Sequence, residues 1–137
     1  MTPPFRAVLG EELGPRIVVI SREQTRDYAR QYRFESARFS DDERARRIGL
    51  PGIIVPGNMS LAYLVKLVTD WIGTRPATLV RLSTTYRQLV RPDSPLTLHG
   101  VITGAGGDGS VELDLWMENE LGERLVTATA TVRALPA

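Results

Sequence analysis

The chain has 137 residues, 42% hydrophobic and 24% charged, which suits one globular domain with its own core, read here as a single domain over residues 1–137. Seventeen basic residues against sixteen acidic ones leave a net charge of +1, so no nucleic acid or other polyanion is invited as a partner. The absence of cysteine excludes disulfides, thiolate metal sites and thiol nucleophiles, and a single histidine is too few for a histidine metal cluster.

The opening MTPPFRAVLG lacks the charged and long apolar regions of a signal peptide, so a cytoplasmic protein is expected. Arg16–Ile20 reads as a strand edge. Ser21-Arg22-Glu23-Gln24 then has the spacing of a capping box and predicts a helix through about Tyr32, with Tyr28, Ala29 and Tyr32 on one face. Ser40-Asp41-Asp42-Glu43 predicts a second, short helix, with Arg44, Arg46 and Arg47 in its last turn and Gly49 stopping it. Acids first and bases last complement the helix dipole, which accounts for this charge cluster without any ligand. Pro56-Gly57-Asn58 opens a third helix that Gly73 ends. Leu61, Leu64, Val65, Val68, Trp71 and Ile72 follow helical spacing, and a helix this apolar should be mostly buried. Lys66, Thr69 and Asp70 interrupt it, so it is no membrane span and no membrane partner is expected. From Ala77 the period changes to two. Val80, Leu82, Thr84 and Tyr86 share one face, and Val111, Leu113, Leu115 and Met117 another; Leu96–Thr103 and Leu125–Val132 add strands separated by turn signals at Gly104–Gly109 and Asn119–Gly122. Helices first and then strands joined by short turns predict an α+β domain, an antiparallel sheet wrapped around one long central helix, which is the hotdog layout.

Local sequence adds a resemblance. Tyr28-Ala29, Asp41, Ala45, Gly49 and Gly57 fall, without gaps, on positions of the MaoC-like (R-specific enoyl-CoA hydratase and hydroxyacyl dehydratase) pattern. The stretch from Thr85-Tyr86-Arg87 through Val90-Arg91-Pro92-Asp93-Ser94 is similar to that family's strand and its Val-x-Pro-Gly-Asp turn. The resemblance implies the hotdog fold, an acyl-CoA or acyl carrier protein thioester as substrate, and no cofactor or metal. The same register puts Phe34 where the family carries its catalytic Asp and Phe39 where it carries its catalytic His, with Ser36 and Ala37 in place of Asn-Pro. A phenyl ring exchanges no proton, so the family's acid–base pair is missing. Catalytic members often read His-Gly at the helix entry. Val55-Pro56-Gly57-Asn58-Met59 resembles instead the junction in the non-catalytic halves of double-hotdog and heteromeric hydratases, in which one degenerate hotdog pairs with a catalytic one.

The residues left near this site have competing readings. Phe34 and Phe39 line an enlarged apolar pocket or, as two rings in place of two polar groups, fill it. Gly57 presents its amide to a thioester carbonyl, or is a glycine because the entry turn is sharp. Asn58 caps the helix in preference to touching a ligand, and the candidate substrate-binding residues are Phe34, Phe39, Pro56, Gly57 and Asn58. Glu35, Asn58 and Ser60 are the candidates for catalysis by residues outside the family's pair. His99, beside the inward Leu96 and Leu98, is expected at the surface. Arg87 and Arg91 are expected in surface ion pairs in preference to meeting coenzyme A phosphates, and Trp116 points outward, to be covered by a second subunit. The first functional reading is a degenerate subunit acting with a catalytic hotdog on enoyl- or 3-hydroxyacyl-thioesters. The second is a self-sufficient homodimeric enzyme on an acyl thioester or related small molecule. The third is a non-enzymatic acyl-ligand binding module.

Overall fold

The computed structural model describes residues 5–33 and 36–136. Strand β1 (Glu12–Val19) leads into helix α1 (Arg22–Gln31), and β1 begins earlier than the predicted Arg16. The capping box at α1 closes in both directions: the Gln24 amide donates to Ser21 Oγ at 3.0 Å, and the Ser21 amide donates to the Gln24 side chain at 2.8 Å. Ala29 is buried on the predicted face and Tyr28 half-buried, whereas Tyr32 lies exposed with its ring 4.6 Å from that of Tyr28.

A short 3-10 turn, Ala37–Phe39, precedes helix α2 (Asp42–Arg47). The α2 cap is Asp41, not the predicted Ser40. Asp41 accepts from the Arg44 amide at 3.1 Å, while the Ser40 hydroxyl turns back to the Ser36 carbonyl at 3.4 Å. Both residues fit a cap pattern, and the carboxylate, the stronger acceptor beside the positive end of the helix, takes the position.

Helix α3 (Gly57–Ile72) lies against the sheet through Met59, Ser60, Leu64, Leu67, Val68 and Ile72. Its burial is one-sided: Asn58, Ala62, Lys66, Thr69 and Asp70 form an exposed stripe, and Val65 and Trp71 are half-buried. The apolar spacing found the inner face but overstated the outer one.

The remaining strands are β2 (Ala77–Tyr86), β3 (Pro95–Ala105), β4 (Ser110–Glu118) and β5 (Arg124–Ala134), and they enclose the predicted strand cores. Five strands form one antiparallel sheet in the order β1-β3-β4-β5-β2. Alternate residues face α3: Leu96, Leu98 and Ile102 on β3, Val111 through Met117 on β4, and Val126 through Val132 on β5. On β2 the predicted face is out of phase at its start. A bulge between Leu79 and Arg81 shifts the register, so Leu79 and Leu82 pack on the core and Val80 is 47% exposed. Among the described residues no helix is long and apolar enough to cross a membrane.

Candidate functional site

The segment between α2 and α3 is fixed amide by amide. Ile53 donates to Asp42 Oδ1 at 2.9 Å, Ile54 to the Arg38 carbonyl at 2.8 Å, and Val55 to the Val90 carbonyl at 2.8 Å. Asp42 also pairs with the Arg22 guanidinium, and the Arg22 amide donates to Asp93 at 2.9 Å, so α1, α2 and the 90–94 turn hold one another. The Ile53 amide above all holds the Asp42 carboxyl below the usual carboxylate range; burial opposes this, and Arg22 adds to it. Gly52 gives the segment room. A Cβ there would stand 2.8 Å from Asp42 Oδ1 and 2.9 Å from Arg91 Nη2.

These constraints deliver Pro56 and Gly57 to the head of α3, beside a cavity of about 270 Å³. Phe39 and Arg38 line it from the 3-10 turn, Gly57 and Ser60 from α3, Tyr86 from the end of β2, and Val55, Leu89 and Val90 from the flanking segments. Phe39, Gly57 and Ser60 are thus brought together, as residues of one site must be. Asn58 is exposed and does not line the cavity. Phe34 and Glu35 lie outside the described residues.

Two readings of the helix entry need correction. The cap is Pro56, with no side-chain bond to a helix amide, and Asn58 sits one residue inside α3. The Gly57 backbone lies outside the left-handed region, so the turn does not demand glycine there. The close neighbour is a side chain: a Cβ on Gly57 would meet the exposed Tyr86 ring at 3.0 Å, and the ring would have to shift. The buried Pro56 carbonyl accepts two amides, Met59 at 3.0 Å and Ser60 at 3.1 Å. The Gly57 amide, in the first turn, has no acceptor within the helix and carries the positive end of its dipole.

Ser60 is the unusual member. It is wholly buried, and its hydroxyl has no hydrogen-bond partner. Among the described residues lining this cavity there is no carboxylate and no imidazole. Tyr86 carries a phenol into the lining, and its neighbour Tyr28 has its own phenol pushed above the ordinary value by burial first, then by Tyr32 and Tyr86. Tyr86 was legible only as a strand residue. An aromatic with a polar tip at the last position of a strand, before a turn, is the signal that marked it.

The opposite face of the sheet carries Trp116, His99 and Arg87, while Arg91 lies in the 90–94 turn beside Gly52. Trp116 points outward as expected. It is flanked by side chains of its own chain, with His99 stacked at 5.1 Å and the Arg124 guanidinium at 4.2 Å from the ring. His99 is half-buried and held by Glu118, with Nε2 2.9 Å from Oε1, so it is not a plain surface residue. Among the described residues, neither Arg87 nor Arg91 makes the surface ion pair expected of it. Arg87 donates to Thr127 Oγ1 at 3.1 Å, and Arg91 is half-buried with an unpartnered Nε.

No protein-family model matches the chain, and no curated protein does. Solved structures do match. A chain of the ChsH1-ChsH2 complex from Mycobacterium tuberculosis superposes with a TM-score of 0.83 at 22% identity, over 94% of this chain and 99% of that one. The (R)-hydratase from A. caviae involved in PHA biosynthesis gives 0.85 at 16% identity, over 95% and 98%. The C-terminally truncated HadBC (3R-hydroxyacyl-ACP dehydratase) complex from Mycobacterium tuberculosis gives 0.75 at 19% identity, over 92% and 97%. The chain therefore has the α+β hotdog fold of the MaoC-like dehydratases and (R)-hydratases.

Proposed function

We propose that this chain is a MaoC-like subunit that helps to hold an enoyl- or 3-hydroxyacyl-thioester and leaves the acid–base step to a catalytic hotdog partner. The observation that carries the reading is Phe39 at the cavity beside the head of α3, in a lining whose described residues supply no carboxylate and no imidazole. Hydration of an enoyl thioester needs one group to take a proton from water and another to deliver one to carbon. Phe39 does neither, and its ring makes the wall apolar. The Gly57 amide remains available to a carbonyl oxygen, so binding and polarisation of a thioester outlive the loss of proton transfer. The likeness to chains of two complexes supports the partnered form. The self-sufficient reading is less well supported: the Ser60 hydroxyl has no base among the described lining residues to make it a nucleophile.

The test is a hydration assay on short and long enoyl-CoA substrates. The chain alone should give no turnover above background, because an acid–base group contributes roughly 10²–10⁴-fold. Co-purification with a hotdog subunit that carries Asp and His should restore it. Robust turnover by the chain alone, surviving Phe39→Ala, would overturn the proposal.

A further inference from the structure

Among the described residues, two hydroxyl side chains are wholly buried, Thr25 and Ser60. Thr25 Oγ1 donates to the carbonyl one turn back, Ser21, at 3.0 Å. Ser60 has no such outlet. The equivalent carbonyl, Pro56, already accepts the amides of Met59 and Ser60, at 3.0 and 3.1 Å, which uses both of its lone pairs. A buried hydroxyl left without a partner is rare and destabilising, and an explanation for it is sought in an unseen ligand or water. Ser60 is one of the residues that line the cavity at the head of α3.

We infer that Ser60 is a specificity-determining residue that selects an acyl group bearing oxygen, as a hydroxyl or a ketone, over a plain hydrocarbon chain. The inference rests on the thioester reading above and adds a residue and a preference to it. With a thioester carbonyl at the Gly57 amide, Ser60 stands three residues further along α3, about 4.5 Å along the axis. Two oxygens on alternate carbons of an acyl chain span that distance, so the carbonyl and a C3 oxygen meet Gly57 and Ser60 together. A serine hydroxyl both donates and accepts, so it pairs with a C3 hydroxyl or a C3 ketone. Phe39, Val55, Leu89 and Val90 offer such an oxygen nothing; Arg38, Tyr86 and Gln88 are the other polar side chains of the lining, and all three are exposed to solvent, so Ser60 is the buried polar group of the site. Ser60 is covered, so a ligand reaches it as side chains of the cavity lining move, among which Arg38, Tyr86 and Gln88 are exposed.

The experiment is calorimetric titration of the full chain with two probes that differ by one oxygen, 3-hydroxybutanoyl-CoA and butanoyl-CoA. The wild type should prefer the hydroxylated probe by roughly five- to tenfold, the worth of one hydrogen bond, and Ser60→Ala should bring the two affinities together. A wild type without preference, or a preference that survives in Ser60→Ala, overturns the inference and leaves the thioester reading standing. Binding of neither probe overturns both. A ratio of affinities also separates selection from support of the fold, since a structural serine would weaken both probes alike.

Discussion

The two ends of helix α3 are built on opposite terms. At the C-terminal end the polar side chains find partners. The Trp71 indole donates to Glu11 at 2.8 Å, and Arg75 lies 4.6 Å from the Trp71 ring and 5.0 Å from that of Phe5. Asp70 joins Arg16 at 2.8 Å to Lys66 at 3.2 Å, and Gly73, at φ 59°, ends the helix. At the N-terminal end there is no side-chain cap, a buried hydroxyl has no partner, and a cavity opens beside both. Satisfied polar groups lock an element in place; unsatisfied ones stay ready for something else to bind. Local rules are broken where function gains from the breach, and here the breaches gather at one end.

The middle of the helix belongs to neither end, and breaking it should have the largest effect. Leu64 and Val68 are wholly buried between the helix and the sheet. Leu64→Asp or Val68→Asp would place an unpaired carboxylate there, at a cost of several kcal/mol, comparable to the whole stability of a small domain. Insoluble protein, or loss of the cooperative unfolding transition, is expected. A soluble variant with a native circular dichroism spectrum and a sharp melt would contradict the placement of α3.

An intermediate effect should follow from the anchor that delivers the open end. Asp42 receives the Ile53 amide and pairs with Arg22, so Asp42→Ala leaves a buried amide without its acceptor and takes away one of the two carboxylates beside the Arg22 guanidinium, at about 2 kcal/mol. The pH dependence has a defined sign. The folded-state pKa is depressed, so the unfolded chain binds the proton more readily. The contribution is complete above the unfolded value near 3.8 and disappears as pH falls through the lower folded value. Urea titrations at pH 7 and pH 3 should therefore show a smaller gap between wild type and Asp42→Ala at the lower pH. A gap that does not shrink would show that the charge on Asp42 contributes nothing to stability.

Much of this arrangement was legible in the sequence, and what was not has physical reasons. The α1 capping box, the inner face of α3 and the alternation along β3, β4 and β5 are local or periodic, and each side chain reports its own environment. The bulge after Leu79 put only the start of β2 out of phase, because one extra residue is invisible to a count of twos. The anchoring role of Asp42 left no local trace, since the helix dipole already explains an acid in a first turn and the bond to Ile53 spans a loop. At Gly57 the sequence suggested a turn that needs glycine; the backbone there does not need one, and the Tyr86 ring that stands close to it comes from another element. At Ser60 the sequence showed only a hydroxyl on an apolar helix. That this hydroxyl is unpaired follows from the double occupation of the Pro56 carbonyl, which only coordinates reveal.

The smallest effect expected is also the one that bears most directly on the contrast between satisfied and unsatisfied groups, and it has the opposite sign. Thr25→Ala removes a hydroxyl that is bonded to the Ser21 carbonyl, together with a buried methyl group, and should cost about 1–2 kcal/mol. Ser60→Ala removes a hydroxyl that is buried and bonded to nothing, and it replaces serine by the best helix former at an interior helical position. The folded state then loses an uncompensated desolvation penalty and very little packing, so a gain of about 1 kcal/mol is expected. Denaturant midpoints of the wild type and the two variants, measured without ligand, read this directly: Thr25→Ala should fall below the wild type and Ser60→Ala should rise above it. If both fall, the Ser60 hydroxyl has a partner in solution, and the end of α3 beside the cavity is as fully bonded as the end at Trp71.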